Sequence, residues 1–282
     1  MDSIIHFITE PLAMEFMQRA LLMSLLIAVV CSIFSCFLVL KGWSLMGDAV
    51  SHAVLPGLAL AFIAGIPLGI GAFLAGLFCA FATGYIKENS RVKEDAVMGI
   101  VFSGMFAFGL VLLTKIETDV HLMHVLFGNV LGISREDLIS AGSVAVLCSA
   151  VMLVKRKDLA LYCFDPAFAG VIGLPVRLLH FGLLILLSLT IVSSLKAAGI
   201  ILVIAMLIAP GAIGFLLTRS FDMMLLTALA VSVFSCVAGT ILSFHLDSAT
   251  APLIVVIQAV MFIPAFLMQR GRISKKGAAY AV

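Results

Sequence analysis

The chain has 282 residues, of which 63% are hydrophobic and only 11% are charged, and its net charge is +2. A soluble domain carries about 25% charged residues, so this composition excludes an ordinary water-soluble protein. Nucleic acid is also excluded as a partner, because the net charge is small and the basic residues are spread along the chain. The composition therefore predicts an all-α polytopic membrane protein whose surroundings are a lipid bilayer.

Nine blocks without Asp, Glu, Lys or Arg are each long enough to cross a hydrocarbon core of about 30 Å as one helix. The predicted spans are residues 20–40, 49–65, 67–86, 96–114, 139–154, 178–195, 197–218, 223–244 and 248–269. The second and third spans are separated only by Gly65, Ile66 and Pro67, which predict a tight turn. No polar stretch is long enough for another folded unit, so we expect residues 1–282 to form a single transmembrane domain.

The basic residues predict the orientation of the chain. When alternate loops are assigned to opposite sides, only Arg19, Lys115, Arg135 and Lys196 of the 17 Lys and Arg residues fall on one side. Cytoplasmic loops retain Lys and Arg, so the side with the other basic residues is expected to be cytoplasmic. This places the N-terminus outside and the C-terminus in the cytoplasm.

The second span contains a carboxylate and an imidazole. Asp48 and His52 are four residues apart, which puts them on one helical face. Ionisable groups inside a bilayer cost about 2.5–3.5 kcal/mol each on insertion scales, so they indicate a function. Oxygen and nitrogen donors suit Mn²⁺, Fe²⁺ and Zn²⁺. The spacing alone is equally compatible with a metal ligand pair and with a structural pair that satisfies itself.

Prolines predict interruptions in two spans. Pro56 and Gly57 follow His52 directly, and Pro210 lies in the seventh span. A proline removes a backbone donor and disturbs the helix around it. Interrupted helices often line transport pathways. We therefore expect helix breaks at Pro56, Gly57 and Pro210.

A second acidic and imidazole pair, His245 and Asp247, lies in the connection before the last span. It is a candidate ligand pair at an outer gate, or else a solvated turn into the last helix. An earlier outer loop, between the fourth and fifth spans, contains Glu117, Asp119, His121 and His124. These side chains either collect cations or are simply solvated.

Several chemistries are missing from the sequence. It contains no GxxxxGK[ST] phosphate-binding loop, so this chain does not hydrolyse ATP through a P-loop, and any such energy comes from a partner. There is no HExxH motif and no Ser or Cys nucleophile beside a base, which disfavours an enzyme. The six cysteines have no CxxC spacing and are predicted to pack in the apolar interior.

Four segments resemble one family closely, the permease subunits of ABC importers for zinc, manganese and iron. The strongest is GDAVSHAVLPG at residues 47–57 in the second span. The others are LFGNVL at 126–131, FDPAFAG at 164–170, and SLKAAG at 194–199 leading to Ala209 and Pro210. The resemblance covers residues 15–270. Within the family, the sequence is most similar to the iron and manganese permeases.

The resemblance implies a bacterial inner-membrane permease that dimerises with the same or a related chain. It also implies a cytoplasmic ABC ATPase and an extracytoplasmic metal-binding protein as partners. There would be no permanently bound cofactor, and the divalent metal ion would be the cargo, held by Asp48 and His52 and more weakly indicated at His245 and Asp247. The segment expected to dock on the ATPase contains Asp165, Pro166, Ala167, Phe168, Ala169, Gly170 and Gly173.

Two other functions remain open from the residues alone. A secondary metal transporter, driven by protons or by the membrane potential, would use Asp48 to carry the coupling proton. A membrane scaffold that transports nothing would use Asp48 and His52 as a buried structural pair. The predicted function is ATP-driven import of manganese, iron or zinc by alternating access.

Overall fold

The structure, a computed structural model, describes residues 9–11, 13–115 and 134–279. Its regular secondary structure within these ranges is helical, as the sequence predicts. The helices are α1 (Glu15–Lys41), α2 (Met46–Ala64), α3 (Leu68–Glu88), α4 (Glu94–Leu113), α5 (Arg135–Val154), α6 (Arg156–Phe164), α7 (Pro166–Val171), α8 (Val176–Leu217), α9 (Phe221–His245) and α10 (Thr250–Ala279).

Nine segments within the described ranges are long and apolar enough to cross a membrane, which confirms the predicted number. Helix α8 supplies two of them, Val176–Leu195 and Ala198–Leu217, here called α8N and α8C. Helix α1 begins at Glu15 instead of residue 20, and α5 begins at Arg135 instead of residue 139. The predicted bounds were too short because each of these helices carries charged residues in its first turn. Two of these residues, Arg135 on α5 and Glu15 on α1, form an ion pair with Nη2 and Oε1 3.0 Å apart.

The predicted tight turn between the second and third spans is present. Gly65 has φ +67°, and its N–H donates to Phe62 O while that of Ile66 donates to Ala61 O. A left-handed residue after the last helical turn is the usual way to satisfy the final carbonyls. Pro67 follows Ile66 and is the N-cap residue of α3, so α2 and α3 form a hairpin.

Helix α8 is interrupted at Gly199, where φ is +75° and ψ is 168°. This backbone conformation is open almost only to glycine. Both halves of α8 lie against the first half of α2. A Cβ built on Gly76 of α3 would lie between Val50 of α2 and Ser188 of α8N, and one built on Gly47 of α2 would meet Leu207 of α8C. The chain therefore doubles back near Gly199, and α8N and α8C cross the membrane separately.

The breaks expected at Pro56, Gly57 and Pro210 are absent, which corrects the sequence prediction. Helix α2 continues through Pro56 and Gly57, and α8C continues through Pro210. Pro56 is accommodated because its nitrogen, which has no hydrogen to donate, faces Gly109 of α4. A Cβ built on Gly109 would lie only 2.8 Å from the Pro56 nitrogen, so the glycine leaves the space that the proline needs. The interruption falls instead at Gly199, where a glycine permits a turn that proline would not.

The buried core of the bundle is formed mainly by α1 and α2. Both are buried over most of their length, and α8 packs against them together with α3, α5 and α9. Helices α4, α5 and α10 are largely peripheral. They present large apolar side chains such as Ile100, Ile139 and Val260 at the surface, as expected where the solvent is lipid.

Candidate metal site in the second span

Asp48 and His52 lie together near the beginning of α2. His52 Nε2 is 3.3 Å from Asp48 Oδ1, and the two side chains are 32% and 33% exposed, respectively. Their neighbours on the opposite face, Ala49, Val50 and Ala53, are buried in the bundle. The carboxylate and the imidazole are thus less covered than these neighbours, and about a third of each side chain is exposed.

Local structure explains why a carboxylate is tolerated at this depth. Asp48 lies in the first turn of α2, where the positive end of the helix dipole stabilises a negative charge. Ser51, which adjoins the pair in the sequence, is fully buried, and its hydroxyl donates to Gly47 O at 2.7 Å. That hydrogen bond ties the Ser51 hydroxyl to the backbone of its own helix.

Two phenylalanines of α4 flank the imidazole of His52. The ring of Phe106 lies edge-on with its centroid 5.2 Å away, and the ring of Phe102 is stacked with its centroid 6.3 Å away. These rings restrict the orientation of the imidazole and displace water from that side. The sequence gives no sign of these two partners, because their contact with His52 depends on how α4 packs against α2.

The pair supplies two protein donors. The described residues contain no group of three His, Cys, Asp or Glu side chains able to hold a metal ion. Transition-metal ions usually take four to six ligands, so an ion at Asp48 and His52 would keep most of its water. Such a partial ligand set fits an ion that binds briefly and moves on better than it fits a resident cofactor.

His245 and Asp247 lie at the other end of the bundle. His245 ends α9 and is half-buried against Phe244, whereas Asp247 is exposed with φ +47°. Successive spans alternate in direction, so the end of α9 lies level with the end of α2, about 25 Å along the axis from Asp48. One ion therefore cannot contact both pairs at once.

The turn that holds Asp247 is closed by short-range hydrogen bonds. The Ser248 N–H donates to Ser243 O at 3.0 Å, and the Ser243 and Thr250 hydroxyls are 3.0 Å apart. This geometry matches the predicted turn into the last helix, and it leaves the Asp247 carboxylate at the surface. The structure thus brings Asp48 and His52 together and keeps His245 and Asp247 separate from them.

Other candidate donors are either buried or outside the description. All six cysteines are free and buried. Burial raises the pKa of the Cys163 thiol, on α6, to about 12, so it stays protonated and is a poor metal ligand at neutral pH. The loop cluster of Glu117, Asp119, His121 and His124, and the segment 126–131, lie outside the described residues.

The segment expected to contact an ATPase forms a separate surface feature. The Asp165 carboxylate caps α7 by accepting from the Phe168 N–H at 2.9 Å, and Pro166 occupies the first helical turn. Ala169 is buried, whereas Asp165, Pro166, Ala167, Phe168, Gly170 and Gly173 are exposed. Gly173 has φ +86° and turns the chain into α8.

Helix α6 anchors this segment to the spans. Leu159, Tyr162 and Cys163 are buried on its inner face. Arg156 Nη1 also lies 3.2 Å from Asp222 Oδ1 at the beginning of α9. The chain between α5 and α8 is therefore held at one end of the bundle, where it presents an exposed helical turn.

Comparison with known proteins identifies the family. Residues 13–269 match the family described as ABC 3 transport family. The chain belongs to the ABC 3 transport family. The match extends from before the first to within one residue of the end of the last of the spans found in the described part of the chain.

Relatives in the ABC 3 family are similar over almost the same length. The chain is 64% identical over 267 residues to the chelated iron transport system membrane protein YfeD of Yersinia pestis, covering 95% of this chain and 90% of that protein. It is 52% identical over 265 residues to the manganese transport system membrane protein MntB of Synechocystis sp., covering 93% and 86%.

A solved structure has the same fold. The structure of PsaBC from Streptococcus pneumoniae in complex with Fab superimposes with a TM-score of 0.80 at 35% identity, covering 93% of this chain and 95% of that one. The chain is thus an ABC transporter permease subunit, and ATP hydrolysis belongs to a separate subunit. This assignment removes the secondary-transporter and scaffold alternatives.

Proposed function

We propose that this chain is the membrane-spanning subunit of an ATP-driven importer of manganese or iron, and that the ion passes Asp48 and His52. The observation that carries the proposal is the carboxylate and imidazole pair, 3.3 Å apart and partly exposed inside an otherwise apolar span. Relatives named for iron and for manganese transport support these two metals as cargo.

The chemistry of the pair suits transient binding. The Asp48 carboxylate supplies charge, and a neutral His52 imidazole supplies a nitrogen donor, which together favour a divalent transition metal. Phe102 and Phe106 shield one side of the imidazole, so the ion exchanges part of its water shell for protein ligands. Because only these two donors hold it, the ion can leave toward the cytoplasm.

The transport cycle needs partners on both sides. We infer that an extracytoplasmic binding protein delivers the ion to the end of the bundle that holds His245 and Asp247. A cytoplasmic ATPase docks on α7, where Phe168, Val171 and Ile172 are exposed beside the capped first turn. A second permease chain, identical or related, completes the pathway, and ATP-driven closure exposes the ion site to alternate sides.

We also propose an orientation and a location for the chain. Lys and Arg concentrate at the end of the bundle that contains α6 and α7, which supports a cytoplasmic position for that end and an outside position for the N-terminus. The chain would then be a single permease domain in the bacterial inner membrane.

Metal uptake by the assembled transporter tests this proposal. Asp48→Asn and His52→Gln keep the approximate size of each side chain while removing the charge or the imidazole. Each is expected to lower manganese or iron uptake on the order of tenfold or more, the loss typical of altered metal sites. The double variant should lose little more than either single one, because the two donors act as a unit.

Asp158→Asn is the matched control, because Asp158 is an acid on α6 that pairs with Lys155 away from the spans. It should transport normally. Full uptake by Asp48→Asn and His52→Gln at normal protein levels would refute the role assigned to the pair.

A further inference from the structure

A cavity of about 470 Å³ opens at the end of the bundle that carries α6 and α7. It lies where the C-terminal ends of α1 and α3 meet the N-terminal end of α8N, and Pro166 of α7 forms part of its wall. Neither Asp48 nor His52 lines it. The cavity is therefore separate from the proposed ion-binding pair.

The charge of the cavity has a single sign. Lys41, Lys87 and Arg177 line it, and none of its lining residues is acidic. The ammonium of Lys41 lies 4.2 Å from the centroid of the Tyr162 ring and 5.6 Å from that of Trp43. These ring faces hold the cation in place without cancelling its charge. Such a cavity attracts an anion.

A buried donor points to the same kind of ligand. Trp43 lines the cavity and is only 3% exposed, and its indole nitrogen is buried without a hydrogen-bond partner. An indole N–H can only donate, and a buried donor without an acceptor costs about 1–3 kcal/mol. The nitrogen is not itself exposed to the cavity, so a ligand with acceptor oxygens would remove this cost after a small shift of the indole ring toward it.

From these observations we infer that the cavity binds the phosphate headgroup of an anionic phospholipid. Phosphate oxygens accept hydrogen bonds in several directions, which matches the planar fork of Arg177, the ammonium groups of Lys41 and Lys87, and the N–H of Trp43. This binding site uses none of the residues assigned to the ion.

A membrane lipid fits the surroundings better than free phosphate does. The three cations lie at the ends of membrane spans, which is the depth of lipid headgroups. Below them, Phe181 of the cavity stacks on Phe81 with ring centroids 4.8 Å apart, and both rings are partly exposed. Ile185 continues the same exposed face one turn further along α8N. This apolar surface would support an acyl chain.

The bound headgroup would join two parts of the protein. Tyr162 of α6 and Pro166 of α7 form one wall of the cavity, and the ends of α1, α3 and α8N form the other. The Tyr162 hydroxyl also lies 2.8 Å from His180 Nδ1 on α8N. A lipid held between these walls would fix the exposed turn of α7 relative to the spans.

Native mass spectrometry and thermal unfolding of the full-length chain, purified in detergent with its ATPase, test this inference. We expect one anionic phospholipid to be retained per chain. Added phosphatidylglycerol should raise the Tm, whereas phosphatidylcholine and inorganic phosphate should not. Trp43→Phe and Arg177→Gln should each weaken lipid retention roughly tenfold, the loss expected for one hydrogen bond to a charged group.

The matched control is Arg219→Gln, since Arg219 is an exposed cation at the same end of the bundle but does not line the cavity. It should retain lipid like the unaltered chain. If Trp43→Phe fails to fold, Lys87→Gln provides the same test, because Lys87 is exposed at the end of α3.

Five results would overturn the inference. Retention unchanged by the cavity variants, or lowered equally by Arg219→Gln, would mean that lipid adheres nonspecifically. An equal Tm increase with phosphatidylcholine would remove the selectivity for an anionic lipid. An equal increase with inorganic phosphate would make free phosphate the ligand. Lipid binding only after removal of the ATPase would mean that an acidic group of that subunit occupies the cavity.

Discussion

Gly57 of α2 and Gly71 of α3 touch backbone to backbone. A Cβ built on Gly57 would lie 2.1 Å from the carbonyl oxygen of Gly71, and one built on Gly71 would lie 2.2 Å from that of Gly57. Real Cβ atoms do not come so close to a backbone oxygen. Helices in lipid associate through such small residues, because lipid provides no hydrophobic drive to hold them together.

Gly57→Ala is expected to destabilise the bundle by about 1–3 kcal/mol, because the added methyl group forces α2 and α3 apart. Thermal unfolding in detergent would measure the change as a lower Tm. Gly69→Ala is the matched control, since Gly69 also lies on α3 but has nothing within 4 Å of its built Cβ. Equal Tm values for the two variants would contradict the close contact.

Phe106→Leu is expected to lower metal uptake severalfold while leaving the protein level unchanged. The substitution removes the ring that lies edge-on to His52, so the imidazole becomes less well oriented toward the ion. Uptake measured against metal concentration should show a weaker apparent affinity. Phe108→Leu on the same helix, with its ring at the surface and not against His52, should transport normally. An unchanged concentration dependence for Phe106→Leu would exclude this role.

Asp165→Ala should uncouple ATP hydrolysis from transport in part. It removes the carboxylate that accepts from the Phe168 N–H, which costs about 1 kcal/mol of helix stability and loosens α7. The ratio of metal transported to ATP hydrolysed is expected to fall. Asp165→Asn can still cap the helix and should preserve most of that ratio. If both variants coupled equally poorly, the negative charge and not the cap would be the important property.

Thiol labelling of spheroplasts should reveal the orientation. A membrane-impermeant maleimide is expected to leave the unaltered chain unlabelled, because its six cysteines are buried. Leu246→Cys, at an exposed position after α9, should be labelled from outside. Phe164→Cys, where the native side chain is 79% exposed, should be labelled only after the membrane is permeabilised. The reverse pattern would invert the proposed topology.

The high pKa of Cys163 adds a check to the same experiment. Burial raises this pKa to about 12, so the thiolate that reacts with maleimide is scarce at neutral pH. Cys163 should therefore remain unlabelled in permeabilised membranes while the neighbouring Phe164→Cys thiol reacts. Rapid labelling of Cys163 in the folded protein would contradict its burial.

Local patterns in the sequence predict the spans, the face shared by Asp48 and His52, and the turn between α2 and α3. Charge-free blocks identify the nine spans that the structure describes, because crossing the bilayer requires a minimum apolar length. The four-residue spacing of Asp48 and His52 is enough to place them on one face. Gly65 and Pro67 predict the turn between α2 and α3, since each residue has a specific backbone preference.

Features that depend on packing between distant helices were not predicted. Phe106 is distant from His52 in the sequence, and nothing in its neighbourhood marks it as a partner. The rings of Trp43 and His180 contact each other in the cavity wall only because α1, α6 and α8 converge there. Pro56 was expected to break α2, but the sequence does not show that Gly109 provides room for it.

The contact between Pro56 and Gly109 has a consequence for movement. Pro56 packs against Gly109 of α4, and the next residue, Gly57, packs against Gly71 of α3. Helix α2 is therefore in close contact with α4 and with α3 at neighbouring positions. His52 and its flanking phenylalanines therefore lie within one closely packed group of three helices. If Asp48 and His52 bind the ion as proposed, a movement that opens them to the other side of the membrane is expected to carry these three helices together.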